Sequence, residues 1–331
     1  MLLPVCQCAV LFLKAETSVK TFKNLTLLIA VAFSLYGTAH AAPADRATAI
    51  MKRIDNPQGG LIVIAHRGCH NPAPHHALPS APENSLLGLQ HCLAMGADVM
   101  ETDVRRTADG HLVMIHDDSV DRTTDGMGPV DDLTLAQIRA LHLRENEGGK
   151  TAMLTDQKVP TLHEMLAAAK GRIILNLDVK ASIYAEVVAA VERAGMTGQI
   201  LIKSYAGPGS PPLAEIAPFD RVPFLPMITQ GENRAIEAAI NTQVSGRVKP
   251  VGIELPKTKR ADIGALTKAA HTAGVRLWAN SLNDGNVPDA GGDIDALRDP
   301  EAVWGEYYRL GITMIQTDEP EALLRFADTG R

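Results

Sequence analysis

Residues 61–68 read Leu61-Ile62-Val63-Ile64-Ala65-His66-Arg67-Gly68. Five apolar residues in a row, three of them β-branched, make a run of strand length. A strand apolar at every position is buried on both faces, as in a parallel sheet. The run then stops abruptly at a histidine, an arginine and a glycine. The same grammar recurs downstream. Val99–Val104 carries Glu101-Thr102-Asp103, Leu112–His116 runs into Asp117-Asp118, and Ile173–Val179 carries Asp178 and leads to Lys180. Ile200–Lys203, Val222–Leu225, Val251–Leu255, Val275–Ala279 and Met314–Gln316 are further short strand candidates. Helical patterns fill the gaps at Ser85–Met95, Thr161–Ala169, Tyr184–Ala194, Ile263–Ala273 and Pro300–Leu310, and Thr161 with Glu164 forms a capping box. Alternating strands and helices predict a parallel sheet with crossover helices. About eight such units predict the α/β class and a closed (β/α)8 TIM barrel.

Two stretches depart from the rhythm. Residues 118–159, rich in Asp, Thr and Gly with a helix-like turn near Leu135–Leu141, read as a small insertion after an early strand, on the loop face of the barrel. Asn71–Ala81 reads as a second loop, rich in Pro and His, and the whole stretch between Gly68 and Pro82, with His70, His75 and His76, reads as solvated. Leu112–His116 reads as a strand extension or hairpin. Phe224 and Trp304 read as core.

The chain has 331 residues, 46% hydrophobic and 21% charged, an ordinary globular balance. Its net charge of −6 does not favour a nucleic-acid partner. At the N-terminus, Lys14, Lys20 and Lys23 flank an apolar run from Leu25 to Tyr36, followed by Ala39-His40-Ala41. This is the pattern of a cleaved secretory signal over residues 1–41, leaving one domain over 42–331 that is secreted or periplasmic. Cys69 and Cys92 lie beyond it. In an oxidising compartment they could pair, but two cysteines make no disulfide framework, and they read as separate thiols.

In a (β/α)8 barrel the strand C-termini carry the chemistry. Residues two apart on a strand share a face, so Glu101 and Asp103 present two carboxylates side by side. Such a pair repels unless a cation lies between them. With Asp178 they offer oxygen ligands suited to one hard divalent cation, Ca2+ or Mg2+. Lys180 shares the face of Asp178. Arg67 can grip a phosphate bidentately, and His66 and His116 can exchange protons near neutral pH. The ensemble reads as phosphoryl chemistry: an anion clamp, a charge-neutralising metal and a proton-transfer pair.

These residues resemble the glycerophosphodiester phosphodiesterase family. The likeness rests on Ile64-Ala65-His66-Arg67-Gly68, Ala81-Pro82-Glu83-Asn84-Ser85, Gly96-Ala97-Asp98, Glu101-Thr102-Asp103-Val104, Thr107 with Asp109-Gly110, His116-Asp117-Asp118 and Asp121-Arg122-Thr123-Thr124. Val159-Pro160-Thr161-Leu162, Trp278 with Asn280, and Gly311 with Thr317-Asp318-Glu319-Pro320 continue it. The resemblance implies His66 and His116 as the catalytic acid–base pair. It implies Glu101, Asp103 and Asp178 as metal ligands, and Arg67, Lys180 and Trp278 at the substrate. It also implies release of an alcohol from glycerol 3-phosphate through a cyclic phosphate. Asp178 stands where the family usually has Glu, and Ser204-Tyr205 where it usually has Ser-Phe. The loop between Gly68 and Pro82, with His70, His75 and His76, is longer than usual.

Two other functions compete. A phospholipase of the sphingomyelinase D or phosphatidylinositol phospholipase C type would share the barrel and the histidines. It must meet a lipid surface, however, and with only 4% aromatic residues no membrane association is expected once the signal is cleaved. A non-enzymatic periplasmic binding protein would be expected to lose a histidine or an acid, and here all are present.

Overall fold

Eight parallel strands close into a barrel in the computed structural model, which describes residues 45–228 and 233–330. The expected signal segment lies outside these residues. The strands are β1 (Ile62–Ala65), β2 (Val99–Arg106), β4 (Ile174–Val179), β5 (Ile200–Tyr205), β6 (Phe224–Met227), β7 (Gly252–Glu254), β8 (Arg276–Asn280) and β9 (Ile312–Thr317). β1 pairs with both β2 and β9, which closes the ring. The short β3 (Leu112–Met114) lies antiparallel on β2, with Val104 opposite Met114. The expected TIM barrel is therefore present.

Alternate residues along the strands fill the interior. Ile62, Ile64, Val99, Ile174, Leu201, Leu225, Trp278 and Met314 form one cluster with Ala47, Ile50, Met51 and Ile54 of helix α1 (Arg46–Asp55). Each fully buried aliphatic side chain of this kind contributes about 1.5–3 kcal/mol. Helix α1 thus closes the N-terminal end of the barrel. Buried Arg276 anchors it, donating hydrogen bonds to the carbonyls of Ile54, Arg53 and Asn56. Two residues further along four of the strands, the same interior phase turns polar. Glu101 and Asp103 follow Val99, Asn176 and Asp178 follow Ile174, Lys203 follows Leu201, and Gln316 follows Met314. One end of the barrel is therefore an apolar core and the other a ring of buried charge.

The remaining elements lie close to their expected positions. Helix α2 (Leu86–Met95) is capped by the Ser85 side chain, and α4 (Leu162–Ala169) by the Thr161–Glu164 box. The sixth strand runs on to Met227, because the barrel carries Pro226 within its ladder although Pro has no N–H to donate. Residues 118–159 hold the short helix α3 (Leu135–Ala140), and their Val120, Val130, Ile138, Leu143 and Val159 pack with Val113 and Ile115 into a small apolar cluster.

Two expectations are corrected. Cys69 and Cys92 are not separate thiols: they form a disulfide with Cα atoms 5.2 Å apart. Helix α2 packs back over the turn that follows β1, bringing the two buried residues together. The histidine loop is not wholly solvated either. His75 and His76 are exposed, but His70 is buried, bonded through Nδ1 to Asn146 and through Nε2 to Asp318.

Candidate active site

The turn after β1 fixes the first two functional residues. Arg67 adopts a left-handed backbone, φ 49°. Its N–H donates to Glu101 Oε2 at 2.8 Å, and its carbonyl accepts from the Asn84 N–H at 2.8 Å. Gly68 follows at φ 87°, where a Cβ would lie 2.8 Å from Met100 Cε. A side chain there would be strained by the backbone and crowded by the second strand, which gives the His-Arg-Gly tripeptide its physical basis.

Asn84 ties this turn to the second strand. Its amide donates to Asp103 Oδ2 at 2.8 Å, while its Oδ1 accepts from Thr102 Oγ1 and the Asp103 N–H. Glu83, also buried, accepts from Arg67 and from both terminal nitrogens of Arg122. Arg122 in turn grips Asp117 with two bonds, at 2.8 and 2.9 Å. Two guanidiniums and two carboxylates thus lock each other beside the mouth.

Glu101, Asp103 and Asp178 meet as expected, each with a carboxylate oxygen within 4.8 Å of the others'. Glu101 and Asp103 are almost wholly buried. Burial, with Asp103 beside it, pushes the Glu101 carboxyl up to about 7, against the pull of Lys203. Burial also acts to raise Asp103 and Asp178, but it is outweighed by Lys180 at Asp103 and by Lys203 and Lys180 at Asp178, which is held down at about 2. Three converging carboxylates, one of them pushed towards its neutral form, fit a hard cation that would restore its charge.

Lys180 Nζ lies 2.8 Å from Asp178 Oδ2 and 3.0 Å from Asp103 Oδ1. Lys203, which sequence reading did not select, is buried among Asp178 (3.3 Å), Glu254 (3.7 Å) and Glu101 (3.9 Å). Its ammonium lies 5.6 Å from the centroid of Trp278. Burial acts to lower Lys203, but Glu254, Asp178 and Glu101 together raise it, so it stays charged.

Each histidine has a carboxylate behind it. His66 Nδ1 lies 2.7 Å from Asp318 Oδ1, and His116 Nδ1 lies 2.8 Å from Asp117 Oδ1. Burial acts to raise Asp318, but the hydrogen bonds from His66 and His70 hold it well below the usual carboxylate range. Asp318 is itself fixed by Asp293, whose Oδ2 accepts from the Asp318 N–H and whose Oδ1 accepts from the Thr317 hydroxyl. Burial lowers His116, against the opposing pull of Asp103 and Asp117.

Trp278 is not where a substrate contact would have it. Its ring is fully buried in the barrel interior, and its Nε1 donates to Asn280 Oδ1 at 2.8 Å, which in turn places Asn280 Nδ2 against Glu254 Oε1. Seven of the eight sequence-selected residues therefore converge on one end of the barrel, and the eighth supports it from below. Glu83, Asn84, Asp117, Arg122 and Asp318 lay inside recognised motifs without an assigned role. Lys203 and Glu254 had only the signal of a lone charge inside an apolar strand. Beside the mouth, a cavity of about 430 Å³ is lined by His70, Asn71, Ser80, Glu145, Glu147 and Asp318, among others.

Residues 66–209, which contain this whole set from His66 to Lys203, match the model of the glycerophosphoryl diester phosphodiesterase family. This part of the chain is similar to that family. Residues 224–327 match a second model, described only as a domain of unknown function. A glycerophosphodiester phosphodiesterase of Caldanaerobacter subterraneus subsp. tengcongensis is 33% identical over 151 residues, covering 44% of this chain and 58% of that protein. The match thus spans little more than half of that relative's length. Among solved structures, a glycerophosphoryl diester phosphodiesterase from Parabacteroides distasonis shares the fold with a TM-score of 0.65 and 22% identity, over 86% of this chain and 92% of that one. An Oleispira antarctica phosphodiesterase, solved with the product sn-glycerol-3-phosphate, shares it at 0.56 and 20%, over 82% and 98%.

Proposed function

We propose that this chain is a metal-dependent phosphodiesterase that hydrolyses glycerophosphodiesters to an alcohol and glycerol 3-phosphate. The observation that carries the reading is the convergence of two carboxylate-backed histidines on a buried Glu101–Asp103–Asp178 triad. The family match over residues 66–209 and the product held by the Oleispira phosphodiesterase support it.

Glu101, Asp103 and Asp178 would hold one divalent cation, Ca2+ or Mg2+, which supplies charge neutralisation at the phosphate. Arg67 and Lys180 would grip the phosphate oxygens. His116, which burial keeps towards its neutral form, suits the base that takes the proton from a substrate hydroxyl next to the phosphate. His66, held against the Asp318 carboxylate, suits the acid that protonates the departing alcohol oxygen. The hydroxyl oxygen bonds to phosphorus as the alcohol leaves, giving a cyclic phosphate. Water then opens it with the two histidines exchanging roles. Asp117 and Asp318 fix the tautomer and orientation of their partners. Export of the mature chain to the periplasm or outside the cell belongs to the same proposal, resting on the N-terminal sequence alone.

The phospholipase reading needs a docking surface for lipid. The test is to incubate the protein with deacylated and with intact phospholipids and to measure released glycerol 3-phosphate. Turnover of the deacylated diesters is expected. Turnover confined to intact lipid would move the assignment to a phospholipase.

A further inference from the structure

Four carboxylates and two ammonium groups form one connected set at the barrel mouth. Lys180 bridges Asp103 and Asp178, while Lys203 reaches Asp178, Glu101 and Glu254. With each acid ionised, the set carries a net charge of minus two, which one divalent cation would balance. The neighbouring Arg67 and Arg122 pair with Glu83 and Asp117, two charges of each sign, and Arg67 also lies 3.8 Å from Asp103 without changing the sum. Of the six charged groups in the set, Glu101, Asp103, Lys203 and Glu254 are almost wholly buried, while Asp178 and Lys180 are partly exposed. Lys203 is buried between the triad on one side and Glu254 on the other, above the Trp278 ring. Glu254 is 3% exposed; its Oε1 accepts from Asn280, and its Oε2 has Lys203 as its nearest charge.

We propose that Lys203 and Glu254 act as a buried counter-charge pair that sets how tightly the Glu101–Asp103–Asp178 site holds its cation. Lys203 is then a positioning residue for that site. The inference rests on the metal reading given above. The physical basis is competition. The Lys203 ammonium lies 3.3 Å from Asp178 Oδ2 and 3.9 Å from Glu101 Oε1, so it draws on oxygens that the cation also needs. Glu254 pulls the same ammonium the other way, at 3.7 Å. Removing either partner should therefore shift cation affinity in opposite directions. Asp178, one methylene shorter than the residue expected at its position, is the ligand on which Lys203 bears most closely.

A double-mutant cycle tests this. Binding of Ca2+ and, separately, of Mg2+ to the full chain is measured by isothermal titration calorimetry for the wild type, Lys203→Met, Glu254→Gln and the double variant. A unit charge a few ångströms from the ligand oxygens is worth about tenfold or more in affinity, even at the high effective dielectric of protein sites. Lys203→Met is expected to bind about tenfold more tightly, and Glu254→Gln about tenfold more weakly. The double variant should return to within about threefold of wild type, because the two charges cancel. If Lys203→Met fails to fold, Glu254→Gln, which is isosteric, still carries the sign. Wild-type binding with both single variants unchanged, or with Lys203→Met weaker, overturns the proposal and leaves the metal site standing. A wild-type chain that takes up neither ion overturns the metal reading and this inference with it.

Discussion

The two halves of the barrel do different work. The strands from β1 to β4 deliver every residue proposed to touch the reaction: His66, Arg67, Glu101, Asp103, His116, Asp178 and Lys180. The chain from β5 onward delivers groups that act through those residues: buried Lys203 against the triad, buried Glu254 against Lys203, and, beyond the strand ends, buried Asp293 and partly buried Asp318 behind His66. The first half presents its polar side chains in short local motifs, where a strand ends and a turn begins. The second half presents single polar residues spaced tens of positions apart, and only closure of the ring between β1 and β9 brings them to bear. Reacting groups here are local in sequence, whereas the groups that hold them in place are of both kinds: Glu83, Asn84, Asp117 and Arg122 are near neighbours, and Lys203, Glu254 and Asp318 are distant.

The comparison breaks if the first half is dispensable. His66→Ala and His116→Ala are each expected to lower turnover by about 10²–10⁴-fold with the fold intact, the range for a lost proton-transfer group. Steady-state kinetics with circular dichroism on each variant checks this. Either variant retaining more than about a tenth of wild-type turnover would remove that histidine from the mechanism.

The second half should matter less, but measurably. Asp318→Asn keeps the shape and removes the charge behind His66, so a loss of about 10–100-fold in kcat is expected, as for other residues that orient a reacting group. Its KM should move little, because Asp318 is bonded to His66 and His70 and not to the proposed phosphate grip. A wild-type kcat in Asp318→Asn would mean that the second half is a passive wall.

The pH profile sharpens the same division. Burial depresses His116, so as a base it should protonate, and the rate should fall, only as pH drops through a value below 6.5. Asp117 opposes that depression, so Asp117→Asn should move the acidic limb of kcat/KM to still lower pH. An unmoved limb would detach His116 from the base role. The smallest effect on chemistry is expected from the disulfide. Cys69→Ser with Cys92→Ser should lower unfolding free energy by about 2–4 kcal/mol while leaving most activity in place, measured by denaturant titration and by rate.

The division also explains what could be read from the chain alone. The barrel and the carboxylate triad were legible because apolar runs ending in Glu, Asp, His and Lys state both the strand and its polar end. The 3.9 Å approach of Lys203 to Glu101 was not legible, because nothing local distinguishes a lysine aimed into the ring from one aimed at solvent. The bond from His66 to Asp318 spans 252 residues and exists only once the barrel closes. Trp278 was picked from the family resemblance, but its depth depends on the layer its strand register selects, and that layer is core. Helix α1 did carry a pattern, with Asp45 as cap and Ala47, Ile50, Met51 and Ile54 on one face. It follows directly on a segment read as a leader, and sequence offered no partner for its apolar face until the barrel floor was known.

The central claim is that a divalent cation at Glu101, Asp103 and Asp178 is required for cleavage of a glycerophosphodiester. The direct measurement is release of glycerol 3-phosphate by the purified chain after exhaustive chelation, and again after Ca2+ or Mg2+ is returned, with bound metal counted by elemental analysis. The account predicts activity lost on chelation, regained with one cation per chain, and absent in Glu101→Gln with Asp103→Asn at any cation concentration. Full activity in excess chelator, with no metal on the protein, would contradict it.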